Sequence, residues 1–413
     1  MKLGCDDQIF ITEIGLTCSL GRGLGEVMQA LKNGACGLYL ADVHGYPTAL
    51  GRVQFDLSVD ESSVSTRDRS THLALDAVAQ TSGLQSYDSK RVGVYWGVGL
   101  AGAHWLESTY EQYFADFGDS RLSPWAIPAI MPNSAASTIA MKYGVRGGSW
   151  TIANACASSA LALGQAMIAI RLGHVDAAIV GGSEAMLVPG MLHTWARMRV
   201  LARSTGKDSQ RICQPFDAQR NGLCLAEGAA CLILEKGGPL LQRGGHPLAR
   251  LSGFGQSCDA LDMTEPSVTG QTDAMRDALR DAALQPCDIG YLNAHATGTR
   301  KGDQTELLAV KALSLDCPVS SVKGAMGHTM GAAGAMEAAI CVGVLNQSWI
   351  PPTYGLSIPD AEFGDACLPI GQGVFSPGLM HVMSNSFGFG GTNASLVFSR
   401  VDADSENYLR VKS

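Results

Sequence analysis

The chain contains no long apolar run. No segment offers the roughly 18 uninterrupted apolar residues that a membrane span needs, so no span is read. Charge is scarce: Asp, Glu, Lys and Arg make up 16% of the 413 residues, against 46% hydrophobic. Positive charge is in deficit, with 30 Lys and Arg facing 38 Asp and Glu and a net charge of −8. That balance argues against a nucleic-acid binder, which needs a basic face. The 12 cysteines include no Cys-x-x-Cys pair and no zinc-type spacing, so no metal centre is read. No secretory signal is read at the N-terminus. The cysteines are therefore expected to be reduced thiols in a cytoplasmic protein, not a disulfide framework. Low-complexity tracts are also lacking. The 49 glycines are dispersed, which points to close packing of helices and strands.

What is present is an apolar chain long enough for two structural halves. Buried strands are expected at Gln8–Leu16, Arg91–Val98, Trp150–Asn154, Ala177–Gly181 and Ala230–Glu235. A second set is expected at Ala249–Phe254, Ile289–Ala294, Val319–Val322, His381–Ser384 and Ala394–Ser399. Helical patterns lie between them at Leu24–Asn33, Ser70–Ser82, Ala157–Leu172, Thr269–Ala283, Asp303–Leu313 and Ala332–Leu345. Such alternation indicates an α/β fold with largely parallel sheets. The Gly-rich, Pro-containing stretch Lys236–His246 is the candidate junction. It divides the chain into residues 1–240 and 241–413, two similar α/β halves with a site between them. Residues 100–132 read as less regular. Their aromatics (Trp105, Tyr110, Tyr113, Phe114, Phe117 and Trp125) suit a packing region or the lining of a tunnel.

Four motifs carry candidate chemistry. In the first, a strand-like run stops at Cys156 and an Ala- and Gly-rich helix begins. A cysteine in the first turn of a helix meets the positive end of the dipole, which favours the nucleophilic thiolate. The second is Asn293-Ala294-His295-Ala296-Thr297-Gly298-Thr299, a histidine at a strand end followed by hydroxyls. Ligands collect at the carboxyl ends of parallel strands. The third runs from Ser320 to Gly334 and holds Lys323 and His328 in a Gly-rich turn. A lysine in so apolar a setting needs a partner. The fourth, Asn385-Ser386-Phe387-Gly388-Phe389-Gly390-Gly391-Thr392-Asn393, is either a tight turn between strands or a source of backbone N–H groups for an oxyanion hole.

Taken in this order, the four motifs make the chain resemble the elongating β-ketoacyl-acyl carrier protein synthases of the thiolase superfamily. The resemblance runs from Ile11 to Leu396 and includes Val180–Ala185 and Pro215–Gly222. It implies a layered α-β-α-β-α architecture and a role for each matching residue. Cys156 takes the acyl chain as a thioester. His295 and His328 hold the malonyl thioester carbonyl and stabilise the enolate left by decarboxylation. Lys323 orients or tunes His328. The N–H groups of Cys156 and Phe389 form the oxyanion hole, and Phe389 gates access. Thr297 and Thr299 bind the phosphopantetheine arm supplied by the acyl carrier protein, with no other cofactor and no metal. Asp303 and Glu306 are structural supports, and Leu106 lines the acyl pocket.

The resemblance also implies a dimer, either of identical chains or with a homologous synthase or chain-length subunit. Fatty-acid and polyketide or polyene pathways both remain open, as does the active half of a heterodimeric ketosynthase. A thiolase reading is disfavoured because the C-terminal glycine-rich turn has no cysteine; Cys367 lies outside it. A non-catalytic partner subunit is disfavoured by Cys156 itself. Arg67, Arg69, Arg203, Lys207, Arg211, Arg300 and Lys301 are the candidates for docking an acidic carrier. Gln214 stands where relatives often carry an arginine.

Overall fold

The computed structural model describes residues 7–57, 66–82, 84, 86–115, 121–204, 206 and 212–401. Among the described residues, one continuous sheet contains ten strands and a short eleventh: β1 (Ile9–Cys18), β2 (Val92–Gly97), β3 (Ser149–Ile152), β4 (Ala177–Glu184), β5 (Gly228–Lys236), β6 (Ala249–Cys258), β7 (Tyr291–Asn293), β8 (Val319–Ser320), β9 (His381–Gly388) and β10 (Thr392–Ser399). Their order across the sheet is β8-β7-β9-β10-β6-β1-β5-β4-β2-β3, with the short strand Gly21–Arg22 added to β1. The helices that matter to the site are α1 (Arg69–Val78), α2 (Ala103–Ala115), α3 (Ala126–Ile130), α4 (Ser134–Tyr143), α5 (Ser158–Arg171), α6 (Pro189–Arg197), α7 (Val268–Ala282), α8 (Arg300–Ala312) and α9 (Ala333–Gln347).

The strand order contains a repeat that sequence identity hides. In each run of five, the first strand pairs with the fifth, the fifth with the fourth, the fourth with the second and the second with the third. The first two pairings are antiparallel and the last two parallel, in β1–β5 and again in β6–β10. The expectation of largely parallel sheets is corrected accordingly. An apolar strand buried on both faces reads the same in either direction. The two runs meet where β1 and β6 pair at Phe10–Arg250 and Ile11–Ala249.

Side-chain alternation along the strands builds three packed layers of helix. In β5, Ala230, Leu232 and Leu234 face the central core, where α5 and α9 lie between the half-sheets. Ala229, Cys231 and Ile233 face the opposite side, against α1 and α4. On the other half, α7 and α8 cover the outer face. Period-two burial on both faces explains why these strands are continuous apolar runs. The central helices approach closely: a Cβ at Gly334 would stand 2.7 Å from the Ala160 Cβ. Helix α9 is apolar around its whole circumference, as a doubly buried helix must be, with Glu337 its single charged residue.

Two further expectations change. Residues 100–132 contain helices α2 and α3, not irregular chain, and carry Trp105, Tyr110, Tyr113 and Phe114 on α2. Phe117 lies outside the described residues. At the expected junction β5 runs to Lys236 and passes directly into a short helix, Gly237–Gln242.

Candidate active site

The nucleophile sits at the joint between β3 and α5. Residues 155–157 form a 3-10 turn, and Ala155 adopts a φ of 47°, a left-handed conformation that costs a non-glycine residue energy. Ser158 Oγ fixes the turn by accepting from the Asn154 N–H at 2.8 Å. Cys156 is only 6% exposed. Its Sγ lies 3.0 Å from His328 Nε2 and 4.0 Å from Met330 Sδ. The backbone N–H groups of Phe389 and of Cys156 itself face the sulfur.

Burial pushes the Cys156 thiol up to about 12, against the opposing pull of Lys323 and those two N–H groups. This corrects the expectation of a dipole-stabilised thiolate. The field at the helix start favours the anion, but loss of solvent outweighs it. The resting group is a thiol beside a nitrogen that can take its proton.

Backbone contacts position both histidines, and their Nδ1 atoms are buried without hydrogen-bond partners. His295 follows β7. Its N–H donates to Glu306 at 2.9 Å, and the Ala296 N–H donates to the same carboxylate at 2.8 Å. The Asn385 amide donates to it as well, at 3.0 Å. Asp303 accepts from the Phe216 and Gly298 N–H groups at 2.8 and 3.1 Å. Both acids lie on α8 and brace the loop that carries His295, Thr297 and Thr299. The His328 N–H donates to the Cys224 carbonyl at 2.7 Å. The two imidazole rings stand 5.3 Å apart at 83°. Burial, then the charge of Lys323, holds both well below the usual histidine value, so both are neutral at physiological pH.

Lys323 finds the partner that its burial requires in Glu337, and both are about 1% exposed. Burial pushes the Glu337 carboxyl up to about 7 despite that lysine. Behind the nucleophile, Glu184 accepts from the Gly99 and Gly331 N–H groups at 2.8 and 3.1 Å. It joins the strand end after β2 to the turn before α9.

A cavity of about 300 Å³ opens onto Cys156, His295 and His328. Thr297 and Thr299 line it, their hydroxyls 3.2 Å apart. Phe389, at the tip of the β9–β10 hairpin, stacks on Trp195 of α6 with ring centroids 6.2 Å apart. Residues 259–266 wall the mouth. Gly390 N–H donates to Met263 O and Asp259 N–H to Gly391 O, both at 2.8 Å. Lys301 pairs with Glu265 across this wall.

The structure thus brings together Cys156, His295, His328, Thr297, Thr299 and Phe389, with Lys323 buried behind. It does not bring Leu106 to them. Leu106 lies on α2 and does not line the cavity; its neighbour Glu107 accepts from the Gly190 N–H instead. Arg69 is not free to dock a carrier, because it pairs with buried Glu227 at 2.6 Å. Arg203 lies over the Tyr46 ring. Lys207 and Arg211 lie outside the described residues. Gln214 donates to the Gly355 carbonyl at 3.4 Å. The charge network of that region centres on Arg220, which pairs with Asp360 and Glu362. Sequence reasoning missed Glu337, Trp195, Met330 and the wall at 259–266. Glu337 alone had a signal, a single carboxylate in an apolar helix.

A buried thiol, two neutral imidazoles and two N–H groups aimed at the sulfur define a thiol-dependent acyl-transferring enzyme of the condensing class, built on a thiolase-like fold. The chain belongs to the β-ketoacyl synthase family: residues 6–238 match its N-terminal domain and residues 248–357 its C-terminal domain. It is 34% identical to Nodulation protein E of Rhizobium leguminosarum bv. trifolii, over 96% of this chain and 100% of that protein. It is also 34% identical to 3-oxoacyl-[acyl-carrier-protein] synthase 2 of Coxiella burnetii, over 95% of this chain and 99% of the other. Among solved structures it resembles the ishigamide ketosynthase/chain length factor, with a TM-score of 0.87, 27% identity and coverage of 96% and 99% of the two chains.

Proposed function

We propose that this chain is a β-ketoacyl-acyl carrier protein synthase acting by decarboxylative condensation. The observation that carries this reading is the convergence of Cys156, His295 and His328 on one cavity. Cys156 gives its proton to His328 Nε2, and the thiolate attacks the carbonyl of a carrier-bound acyl thioester. The oxyanion is met by the Cys156 and Phe389 N–H groups. The carrier thiolate leaves with the proton. Malonyl carrier protein then enters, and Thr297 and Thr299 hydrogen-bond its phosphopantetheine arm. Loss of CO2 leaves an enolate whose oxygen accepts from the His295 and His328 rings. Its carbon attacks the acyl-Cys156 carbonyl, the β-ketoacyl product forms on the carrier and the Cys156 sulfur is released. Neutral rings suit this role because they donate without placing a fixed charge in a dry site.

Burial first, and then the charge of Lys323 held by Glu337, keeps both rings neutral. The five-strand repeat supports dividing the chain at 240/241, with the nucleophile in one half and both histidines in the other. We place the enzyme in the cytoplasm, where a thiol nucleophile stays reduced. The resemblance to a ketosynthase/chain length factor supports a second reading, in which the chain is the active half of a heterodimer.

Intact-mass spectrometry with a panel of acyl carrier protein thioesters, followed by malonyl carrier protein, tests the reading. An acyl adduct that Cys156→Ala abolishes, and that malonyl carrier protein converts to a β-ketoacyl product, is expected. A pure chain that no donor acylates, but that becomes competent with a homologous subunit, establishes the heterodimer. Failure in both settings overturns the reading.

A further inference from the structure

We propose that Cys156, His295 and His328 also form a reversible zinc site, and that an ion bound there holds the enzyme inactive. Sγ of Cys156 and one ring nitrogen of each histidine lie within 4.8 Å of one another. Sγ lies 3.0 Å from His328 Nε2. In a tetrahedral zinc site, bonds of about 2.3 Å to sulfur and 2.0–2.1 Å to nitrogen place the ligand atoms about 3.3–3.7 Å apart. The 3.0 Å contact and the 4.8 Å upper bound lie on either side of that range, so small side-chain shifts complete the coordination. The fourth position faces the cavity that opens onto all three residues, which leaves room for a water.

The donor set favours this ion. One thiolate and two imidazoles are a ligand set that zinc accepts in tetrahedral geometry without redox chemistry. The nearest fixed cation, Lys323, is balanced by Glu337. Binding converts Cys156–SH and Zn2+ into a Cys156–S–Zn+ bond and one proton released to solvent, with no change of oxidation state. The His295 and His328 Nδ1 atoms are buried without hydrogen-bond partners. A structural zinc site normally anchors its histidines through that second nitrogen. The ion is therefore held loosely and a chelator removes it. Residues 156, 295 and 328 lie far apart in the chain, so no spacing motif announces the site.

Metal-free full-length chain titrated with Co2+ tests this without any acyl donor. The expected result is a tetrahedral visible spectrum with a sulfur-to-cobalt charge-transfer band, complete at one equivalent and displaced by Zn2+. In Cys156→Ser the charge-transfer band disappears, and His295→Ala and His328→Ala weaken binding by at least about tenfold. Zn2+ also protects Cys156 from iodoacetamide, read by peptide mass on the unmodified chain. A spectrum without the sulfur band, binding that survives Cys156→Ser unchanged, or alkylation of Cys156 that zinc does not slow overturns the proposal. Because no turnover is read, a chain that binds cobalt here yet fails to condense both alone and with a homologous subunit would sink the condensation reading and leave the metal site standing.

Discussion

Lys323 and Glu337 place two opposite charges where water does not reach. Such a pair contributes little net stability, because desolvation offsets attraction. Its removal is informative for that reason. Lys323→Met leaves Glu337 buried and unpaired and is expected to cost about 3–5 kcal/mol, measured by urea unfolding. Lys323→Met with Glu337→Leu is expected to recover most of that stability but not the condensation rate. Recovery of both would show that the pair only props the core. His328 gives a second prediction. Its folded pKa lies well below the ordinary value because burial disfavours the cation. The unfolded chain therefore takes up the proton first as pH falls. Stability linked to His328 is complete above about pH 6.5 and falls on the acid side by about 1.4 kcal/mol per pH unit. His328→Gln should flatten that acid limb in denaturant titrations at several pH values; an unchanged slope would mean that the ring is solvated.

At the scale of elements, the site depends on one contact between a hairpin tip and a helix start. A Cβ at Gly388 would stand 2.9 Å from Asn154 O and 3.3 Å from Cys156 N. Gly388→Ala is thus expected to push the Phe389 N–H away from the Cys156 N–H. An oxyanion-hole donor is worth roughly 10²–10³ in rate. The acylation rate, followed by intact mass, should fall by about 10²-fold while the melting temperature drops only slightly. An unaffected rate would place the oxyanion elsewhere. The same contact shows what the sequence could and could not reveal. Cys156, His295, Lys323, His328 and Phe389 were legible because each sits in a local run of glycines, small residues or hydroxyls that only a special turn needs. Nine of the ten strands were legible because apolar residues at consecutive positions fit a strand buried on both faces; β3 is an exposed edge and was placed by the run that leads to Cys156. Strand direction was not, since it leaves no trace in residue pattern. Helix α2 was missed because it buries only Ala103, so it lacks the apolar stripe that marks a surface helix. Trp195 and residues 259–266 reach the cavity by tertiary contact alone.

At the scale of the whole molecule, β3 ends the sheet. Among the described residues it pairs only with β2, so within them its outer edge presents unpaired N–H and C=O groups, and an exposed edge invites another strand. Its side chains do not protect it: Trp150 is 60% exposed. The flanking helices add to the same surface, with Ile127 of α3 65% exposed and Met141 of α4 73% exposed. Natural edges are usually blunted by charge or proline, and this one carries Ser149, Trp150, Thr151 and Ile152. A second copy related by a two-fold axis would pair β3 with β3 and cover Met141 and Trp150 together. Sedimentation should therefore give twice the chain mass for the pure protein. Trp150→Asp with Met141→Asp should give a single-chain mass. Acylation by carrier thioesters should weaken in the same variant, since Gly97 at the end of β2 pairs with Ile152 of the edge strand, and the Asn154 N–H that fixes the nucleophile turn follows only two residues later. A double variant that stays dimeric would move the interface to another face. A pure chain that is already monomeric, with Trp150 still exposed, would instead leave this edge for the homologous subunit of the heterodimer reading.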